Sequence, residues 1–382
     1  MKFNFHVSPN IKGALTTQKI MKELTIGLLV VFACGCVYYA SAYGIQYSMH
    51  AVLLLLCSLV TTFVCEFVFA KIMKKDVKAF IKSSFGWVTA IILTMMVPVN
   101  VTPYAIIIAT IFAIVVARLL FGGFGNNIFN PAAVGMAVVS TAFPTARLAE
   151  LMTSATPTGV IANTYHWLPA SEAALDQFLN SFNGFSSLAI GTYAGSIGET
   201  FTILILVIGV VLAIRQVIDW RVPTVYLGTI AVMTSVIALL AGLPSYHGIP
   251  ALLWYPALHL VTGGIVYGAV FMLTDPVTNP TSASGRVLFA MGAAILTVLL
   301  RLNSNLPEGC MFSILLMNMF TPLIEQSLDG KQLELKNKVY KIAACFAVLA
   351  LGVAFYSASN VEPVSQVASV AVVEEVEVGL YE

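Results

Sequence analysis

The chain has 382 residues, of which 59% are hydrophobic and only 10% are charged. An ordinary soluble domain carries about a quarter charged residues, so this composition excludes a chain that is solvated mainly by water. The formal net charge of +1 gives no sign of a nucleic-acid partner, and we expect membrane lipid to be the main surrounding of the protein.

Long apolar segments recur along the whole chain and predict an all-α integral membrane protein. A helix needs about 20 apolar residues to cross a hydrocarbon core of about 30 Å, and several segments reach that length. Others are shorter and are interrupted by proline or glycine, which is typical of broken helices. We predict about ten or eleven transmembrane helices, at residues 24–43, 49–70, 84–98, 104–121, 128–142, 199–214, 224–243, 253–274, 287–301, 309–326 and 342–357.

The lysines and arginines are distributed very unevenly between the two sides of these spans. Residues 1–23 contain four lysines and lead into the first apolar span without a signal-peptidase site, which predicts a retained segment. If this segment is cytoplasmic, only Arg147 and Arg301 of the 19 basic residues fall outside. Because basic residues concentrate in cytoplasmic loops, we expect a multi-pass protein of the bacterial inner membrane with its N-terminus in the cytoplasm.

The same topology divides the chain into segments. The longest loop, residues 143–198, falls on the extracytoplasmic side and separates two sets of five spans. The predicted organisation is a cytoplasmic N-terminal segment at 1–23, five-helix repeats at 24–142 and 199–327, a cytoplasmic loop at 328–341, and an additional helix with an acidic tail at 342–382.

Two short segments indicate an internal repeat. Residues 90–98 (AIILTMMVP) are similar to residues 269–276 (AVFMLTDP). Because five spans precede the outer loop, the second copy would begin on the opposite side of the membrane, which makes the repeat inverted. Inverted repeats with broken helices form midplane binding sites in many transporters. The breaks are predicted at 122–135 and 275–285.

The outer loop contains one segment with a chemical signature, residues 150–159 (ELMTSATPTG). It resembles the flavin-attachment motif of the D subunit of Rnf complexes and of the NqrB subunit of sodium-pumping NADH:quinone reductases. In that family the last threonine of the pattern Asp-x-x-[Ser/Thr]-Gly-Ala-Thr is esterified to the phosphate of FMN. The resemblance makes Thr156 the attachment residue. Glu150 stands in place of the aspartate of the pattern, and Ser154 in place of the glycine.

The neighbours of Thr156 fit this role. In the family a flavin transferase supplies the base and the metal for esterification, so the acceptor hydroxyl needs mainly to be accessible. The small side chains of Ser154 and Ala155 leave room for such an enzyme to approach. A covalent bond would also retain FMN on the outer side of the membrane. By itself, the segment is equally consistent with an ordinary loop rich in serine and threonine.

Further segments resemble the same family in the same order along the chain. They are residues 6–10 (HVSPN), 129–132 (FNPA), 272–278 (MLTDPVT), 307–309 (PEG) and 318–322 (NMFTP). The short segment before the first span favours the Rnf family member over NqrB. The helix predicted at 342–357 and the acidic tail after it depart from the ten-span core of the family.

The resemblance implies a membrane subunit of an Rnf-type ferredoxin:NAD+ oxidoreductase that relays electrons, coupled to Na+ or H+ translocation, and that is not catalytic by itself. It also implies covalent FMN, a second, non-covalent riboflavin, the other Rnf subunits as partners and a flavin transferase for maturation. Two alternatives stay open: an NqrB-like subunit of a Na+-pumping NADH:quinone reductase, and a solute channel or transporter without a redox cofactor.

Two acidic residues fall within or beside the predicted spans. Glu66 lies in the second span, where an ionised carboxylate at mid-bilayer costs at least about 2.5–3.5 kcal/mol. We expect it either to take part in ion coupling or to pair with Lys71 or Lys75. Asp275 ends the eighth span, where it would cap a half-helix or contact a flavin or an ion.

The remaining polar and aromatic positions have structural interpretations. Glu199 and Glu325 are expected at the membrane interface, and Asn130 is expected to satisfy free backbone groups beside Pro131. The six cysteines lie in or beside apolar segments, so we expect buried thiols and no metal site. An interfacial aromatic belt is predicted from Tyr38, Tyr39, Tyr43 and Tyr47.

Overall fold

The computed structural model describes residues 16–304, 309–330, 332–361 and 363–364. Within these residues all regular secondary structure is helical, and β-structure is limited to isolated bridges. The prediction of an all-α membrane protein is therefore confirmed. Most of the predicted N-terminal segment, the PEG residues Pro307 and Glu308, and the acidic tail from residue 365 onwards lie outside the described residues.

The first half begins with two long helices, α1 (Thr17–Ala42) and α2 (Ile45–Ile72), which are joined at Gly44. Gly44 has a φ of 109°, a value that glycine adopts without steric cost. Prolines begin two of the later helices, where a missing N–H group has no helical partner to lose. The later elements are α3 (Val77–Ser84), α4 (Gly86–Met96), α5 (Pro103–Ile111) with a π-helical continuation (Phe112–Leu119), and α6 (Pro131–Ala142).

The segment between the halves folds into a compact layer of short helices. It contains a 3-10 turn (Ala149–Leu151), then α7 (Pro157–Tyr165), α8 (Glu172–Asn180) and α9 (Gly184–Ile190). Ser171 caps α8, because its hydroxyl oxygen accepts a hydrogen bond from the Ala174 N–H at 3.1 Å. The apolar sides of these helices are buried in one hydrophobic core that is continuous with that of the long helices.

The second half contains α10 to α15, and one more helix follows it. The bounds are α10 (Thr202–Ile214), α11 (Arg221–Leu240), α12 (Ala251–Val261), α13 (Ile265–Tyr267) with a π-helical continuation (Gly268–Met272), α14 (Ala283–Asn303), α15 (Gly309–Ser327) and α16 (Gln332–Asn360). Helix α16 occupies the position of the predicted additional helix.

Two pairs of consecutive helices are sharply bent. Helices α3 and α4 meet at 45° across Phe85, and α12 meets α13 at 72° across residues 262–264. Phe85 and Gly263 have positive φ angles of 55° and 73°, which a right-handed helix cannot contain. Broken helices are therefore confirmed, but their predicted positions at 122–135 and 275–285 are wrong. Those glycine-rich and proline-rich segments instead form the loops that lead into α6 and α14.

A helix lies at each of the eleven predicted spans. Five of the described helices are long and apolar enough to cross a membrane alone, and there are seven such spans if each bent pair is taken as one. Three shorter apolar helices are Pro103–Leu119, Pro131–Ala142 and Thr202–Ile214. The last has 13 residues and is therefore about 20 Å long, which covers only part of the hydrocarbon core.

The order of elements is similar in the two halves. In each, two helices are followed by a bent pair, then by a helix that carries a buried arginine, and then by one more helix. The arginines are Arg118, in the π-helical continuation of α5, and Arg301, near the end of α14; their exposures are 2% and 1%. This shared order agrees with an internal repeat, while the inverted orientation of the two copies stays a prediction.

The two halves meet at their bent pairs. The Tyr267 hydroxyl of the second half donates a hydrogen bond to the Ile92 carbonyl of α4, at 3.3 Å. Asn130, the N-cap of α6, donates from its side chain to the Met272 carbonyl at 3.3 Å, and its backbone N–H donates to the Asn318 side chain at 2.9 Å. The broken helices are thus held between the halves by polar contacts.

Helix α16 packs on α11 and α14, and the chain after it returns to the outer loop. The Asn303 side chain donates a hydrogen bond to the Ser357 hydroxyl at 2.7 Å. Beyond the helix, the Val364 backbone pairs with the carbonyl of Leu168 and the N–H of Ala170, both at 2.9 Å. The end of α16 and the outer loop therefore lie on the same side, as the predicted topology requires.

Candidate functional site

The outer loop encloses one side of a cavity of about 540 Å³. Residues 152–160, which precede and begin α7, form one wall, and residues 193–200 form another. Thr156, Ser154 and Ala155, the three residues that the sequence assigns to flavin attachment, all line this cavity. Its volume is within the range of about 300–1,000 Å³ that is typical of sites for small molecules and cofactors.

Thr156 is the N-cap of α7. Its hydroxyl oxygen accepts a hydrogen bond from the Gly159 N–H at 3.1 Å and lies 3.3 Å from the hydroxyl oxygen of Thr158. Pro157 follows at the first helical position, which its fixed φ angle favours. The free N–H groups at a helix N-terminus and the helix dipole both favour an anion. A phosphate on Thr156 would occupy such a position.

Three tyrosines at the outer ends of α1 and α2 hold the walls of the cavity. The hydroxyl oxygens of Tyr43 and Ser154 are 2.8 Å apart, and the Tyr47 hydroxyl donates to the Met152 carbonyl at 2.9 Å. On the opposite wall, the Tyr39 hydroxyl donates to the Gly195 carbonyl at 2.7 Å. The rings of Tyr39, Tyr43 and Tyr47 also contact one another in sequence. The predicted aromatic belt therefore positions the loop that carries Thr156.

The lining of the cavity has the chemistry that an isoalloxazine ring and a phosphate require. Within the described residues, Asn100 is buried and its side-chain oxygen has no hydrogen-bond partner, so it can accept from a ligand. Asn163 adds a second amide. The charged residues in the lining are one cation, Arg147, and one anion, Glu199. The residues present fit a phosphorylated flavin.

A second cluster of polar groups lies at the first bent pair. Glu66 of α2 is fully buried; its Oε1 accepts a hydrogen bond from the Ser84 hydroxyl and lies against Gly86, the first residue of α4. The Arg118 Nη1 is 3.9 Å from the same oxygen, which is too long for a hydrogen bond. In the described part of the chain, Glu66 Oε2, Thr62 Oγ1 and both Arg118 Nη atoms have no hydrogen-bond partner. Ordered water would satisfy such a group of atoms.

The cation beside Glu66 is therefore an arginine and not one of the expected lysines. Lys71 Nζ lies over the Phe67 ring, 5.7 Å from its centroid, and Lys75 Nζ lies over the Phe80 ring at 5.3 Å. Both lysines point towards the end of α2, where their ammonium groups can reach the headgroup region. Among the described residues neither lysine pairs with Glu66, and the carboxylate instead lies against Gly86, where α4 begins.

Asp275 caps the turn after the π-helical end of the second bent pair. Its Oδ1 accepts from the Val277 N–H at 3.3 Å, and its Oδ2 accepts from the Thr278 hydroxyl at 3.1 Å. The Asn279 side chain donates to the Leu273 carbonyl in the same turn. Asp275 therefore caps a turn and not a half-helix, because the N-cap of the next helix, α14, is Ser282; its contact with a flavin or an ion stays a prediction. Asp275 also lines a small cavity of about 60 Å³ together with Arg118.

Arg301 binds the break in the second bent pair, α12 and α13, which is called the outer bent pair from here on because its break contacts the outer loop. Its Nη1 donates to the His259 carbonyl at 2.8 Å and its Nη2 donates to the Thr262 carbonyl at 2.6 Å, so one guanidinium satisfies the last carbonyls of α12. The guanidinium lies 4.6 Å from the centre of the Trp167 ring, and Trp167 stacks on His259 at 5.1 Å. Trp167 lies just beyond the C-terminal end of α7, the helix that Thr156 caps at its other end. The C-terminal end of α7 therefore packs against the break between α12 and α13.

Comparison with known proteins decides the family. The sequence model of the NQR2, RnfD, RnfE family matches residues 4–334. The chain belongs to this family. The family prediction from the sequence is thereby confirmed, and α16 lies almost entirely beyond the matched region.

Members of the NQR2, RnfD, RnfE family with curated names include components of two kinds of complex. The chain is 32% identical to the D subunit of the proton-translocating ferredoxin:NAD(+) oxidoreductase complex of Clostridium ljungdahlii, over 85% of this chain and 94% of that protein. It is 32% identical to the D subunit of the Na(+)-translocating ferredoxin:NAD(+) oxidoreductase complex of Acetobacterium woodii, over 84% and 91%. It is 30% identical to the B subunit of the Na(+)-translocating NADH-quinone reductase of Pseudomonas aeruginosa, over 84% and 76%.

At the coarser level the sequence prediction is confirmed: the chain is a multi-pass membrane subunit of the kind found in ion-translocating oxidoreductases, which is not catalytic by itself. The roles of the individual residues stay predictions. Thr156, Ser154 and Ala155 come together in the outer cavity, whereas Glu66 and Asp275 lie in two different polar clusters near Arg118.

Sequence reasoning missed several residues of this family member that the structure brings into these sites. Arg118 and Arg301 contributed to the charge count that set the orientation, although a buried arginine in the helix after each bent pair is the better signal. Glu199 was assigned to the membrane interface, and the structure shows that it also lines the cavity beside Thr156. Asn100 and Arg147 had no distinguishing sequence pattern.

Proposed function

We propose that this protein is the D-type subunit of an Rnf-type ferredoxin:NAD+ oxidoreductase, that FMN is esterified to Thr156, and that electrons pass through this flavin in a complex coupled to Na+ or H+ translocation. Its partners are the other subunits of the complex, and a flavin transferase attaches the FMN. The observation that supports this best is the meeting of the Thr156 hydroxyl, a helix N-terminus and a polar cavity of about 540 Å³.

The residues of the cavity have separate tasks in this proposal. The N-terminus of α7 and Arg147 would stabilise the negative charge of the phosphate. Asn100, with its unpaired oxygen, would accept a hydrogen bond from the bound group, and Tyr43 fixes the loop through Ser154. Bound FMN supplies the ability to take electrons singly or in pairs.

Accessibility of the acceptor also supports attachment by a separate enzyme. Ser154 and Ala155 are exposed, and Thr156 is half-buried as the cap of its helix. The hydroxyl is thus reachable from the outer side, while the hydrogen bond from Gly159 fixes its direction. A transferase would find the nucleophilic oxygen already ordered, which reduces the entropic cost of reaching the reactive arrangement.

The attachment is tested by expressing the chain together with a flavin transferase and running the denatured protein on a gel. The wild-type band should fluoresce, and the band of Thr156→Ala should lose at least about 90% of the signal because the acceptor oxygen is gone. Thr164→Ala is the matched control, since it removes another hydroxyl from the lining of the same cavity, outside the attachment motif, and should keep the signal. A dark wild-type band would reject covalent flavin and favour a solute channel or transporter.

Coverage of the relatives supports the Rnf assignment over the quinone-reductase alternative. The chain spans 94% and 91% of two relatives from ferredoxin-oxidising complexes, but 76% and 62% of two from quinone reductases. Affinity purification from the native membrane separates the two proposals. Partners that oxidise ferredoxin support the Rnf assignment, whereas partners that reduce a quinone would replace it with an NqrB-like function.

A further inference from the structure

Glu199 belongs both to the flavin cavity and to the outer helix break. It precedes α10 in the segment 195–201, and its side chain lines the same cavity as Thr156. Its carboxylate also packs on Gly264: a Cβ atom at that position would lie 2.7 Å from Oε1 and 3.1 Å from Oε2. Any residue other than glycine at 264 would therefore displace the carboxylate.

Gly264 directly precedes α13, the second member of the outer bent pair. The first bent pair, α3 and α4, is called the inner bent pair from here on, and it has the same arrangement. A Cβ atom on Gly86, at the start of α4, would lie 2.9 Å from the carboxyl carbon of Glu66. In both halves a carboxylate thus lies against the glycine where a half-helix begins. A helix N-terminus stabilises the ionised form of a carboxylate that lies beside it.

The surroundings of the two carboxylates differ. Glu66 is fully buried beside Arg118, whereas Glu199 is half-buried and faces the cavity. Within the described lining of that cavity, Arg147 is the other charged side chain, and it lies at the exposed outer wall. A flavin attached to Thr156 would therefore share its cavity with one carboxylate that the fold holds in place.

We propose that Glu199 sets the reduction potential of the flavin by holding a negative charge next to it. This inference rests on the proposed attachment of FMN to Thr156. Two-electron reduction to the anionic hydroquinone takes up two electrons and one proton, so the flavin gains one net negative charge; a negative charge in the same cavity opposes this gain and keeps the potential low. A unit charge about 10 Å away, at an effective dielectric constant near 20, changes an equilibrium constant about tenfold.

Spectroelectrochemical titration of the purified complex at pH 7 tests the inference. Glu199→Gln removes the charge and should raise the ratio of reduced to oxidised flavin at a given potential about tenfold, which is about 30 mV for a two-electron couple. Glu199→Asp keeps the charge and should stay close to the wild type. The matched control is Glu172→Gln, which removes an exposed carboxylate of the outer loop that does not line the cavity and should cause no shift.

A change of opposite sign keeps the test decisive if Glu199→Gln does not fold. Arg147→Gln removes the positive charge of the same cavity and should lower the potential. Equal shifts in Glu199→Gln and Glu199→Asp, or no shift in Glu199→Gln and Arg147→Gln, would overturn the inference. A denaturing gel separates this failure from that of the proposed function: a fluorescent band with an unchanged potential rejects only the role of Glu199, whereas a dark wild-type band rejects the flavin.

Discussion

The inner and outer bent pairs use the same local design in different surroundings. Each pair breaks at a residue with positive φ, and a glutamate carboxylate packs against the glycine at which its second helix begins. Each pair is followed by a helix with a buried arginine. At the inner break the carboxylate and Arg118 lie within 3.9 Å and are sealed from solvent. At the outer break Arg301 is turned towards the carbonyls of α12, and the carboxylate faces a cavity.

This difference separates two tasks that one repeated element can perform. A carboxylate sealed beside an arginine is suited to gaining or losing an ion or a proton, because its charge strongly affects its neighbours in a medium of low dielectric constant. A carboxylate that faces a cofactor cavity is suited to setting the charge felt by the cofactor. The glycine in each pair is the position where the two designs can be compared most directly.

Gly86→Ala should have the largest effect, because the added Cβ atom would contact the Glu66 carboxylate and come within 2.6 Å of a Thr62 methyl carbon. We expect a loss of roughly 3 kcal/mol in the free energy of unfolding, from overpacking and from displacement of a buried charge. Thermal unfolding in detergent measures it. Gly228→Ala in α11 is the control, since its Cβ meets open space and should leave stability equal or higher. Equal melting temperatures for both variants would contradict the described packing.

Glu66→Gln should reduce ion transport at least tenfold while FMN remains on the protein. The amide keeps the size of the side chain and can still contact Ser84 and Gly86, but it cannot carry the charge that coupling requires. Uptake of Na+ and of H+ into vesicles that contain the complex is the measurement. Glu23→Gln is the control, because it removes a carboxylate from an ion pair with Arg215 that is partly exposed. Unchanged transport in Glu66→Gln would leave Glu66 with a structural role only, through its contacts with Ser84 and Gly86.

Asp219→Asn should have the smallest effect, because the Asp219–Arg286 pair is partly exposed, in contrast to the buried Glu66–Arg118 pair. Burial acts to raise the pKa of Asp219, but hydrogen bonds from Arg286 and from the Arg221 N–H outweigh it and leave the pKa below its usual value. We expect a loss of less than about 1 kcal/mol at pH 7.

The sign of the pH dependence follows from this lowered pKa. The folded protein binds the proton of Asp219 less readily than the unfolded chain does, so the pair stabilises above a pH of about 4 and loses its effect as the pH falls through the folded-state pKa. Unfolding of wild type and Asp219→Asn compared at pH 7 and in mild acid checks this. A gap in stability that widens in acid would be the wrong sign.

The sequence was sufficient for the fold class, the family and the cavity residues around Thr156, because apolar length and a short motif are local properties. The positions of the breaks were not predictable in the same way. Glycine and proline are dense at 122–135, yet most of that segment forms a loop that leads into α6, while the first break falls at Phe85 without a proline nearby. Apolar composition reports only that a residue is in the membrane, and not where the backbone turns.

The partners of the buried charges were also beyond local reasoning. Glu66 lies near Lys71 in sequence, but its carboxylate faces Arg118, which is 52 positions away and belongs to another helix. Likewise, Glu199 resembles an ordinary interfacial acid until the fold brings it against Gly264. Long-range pairing decides such cases, and it depends on how the helices pack.

The backbone pairing of Val364 with Leu168 and Ala170 joins the chain beyond α16 to the same outer layer that begins with α7. The C-terminal extension is therefore hydrogen-bonded to the outer loop, although it lies almost entirely outside the region that matches the family model. Shortening the chain before α16, or attaching a rigid fusion partner directly behind Val364, would strain the platform on which Thr156 is presented. Affinity tags for this protein are better inserted in a surface loop on the other side of the bundle.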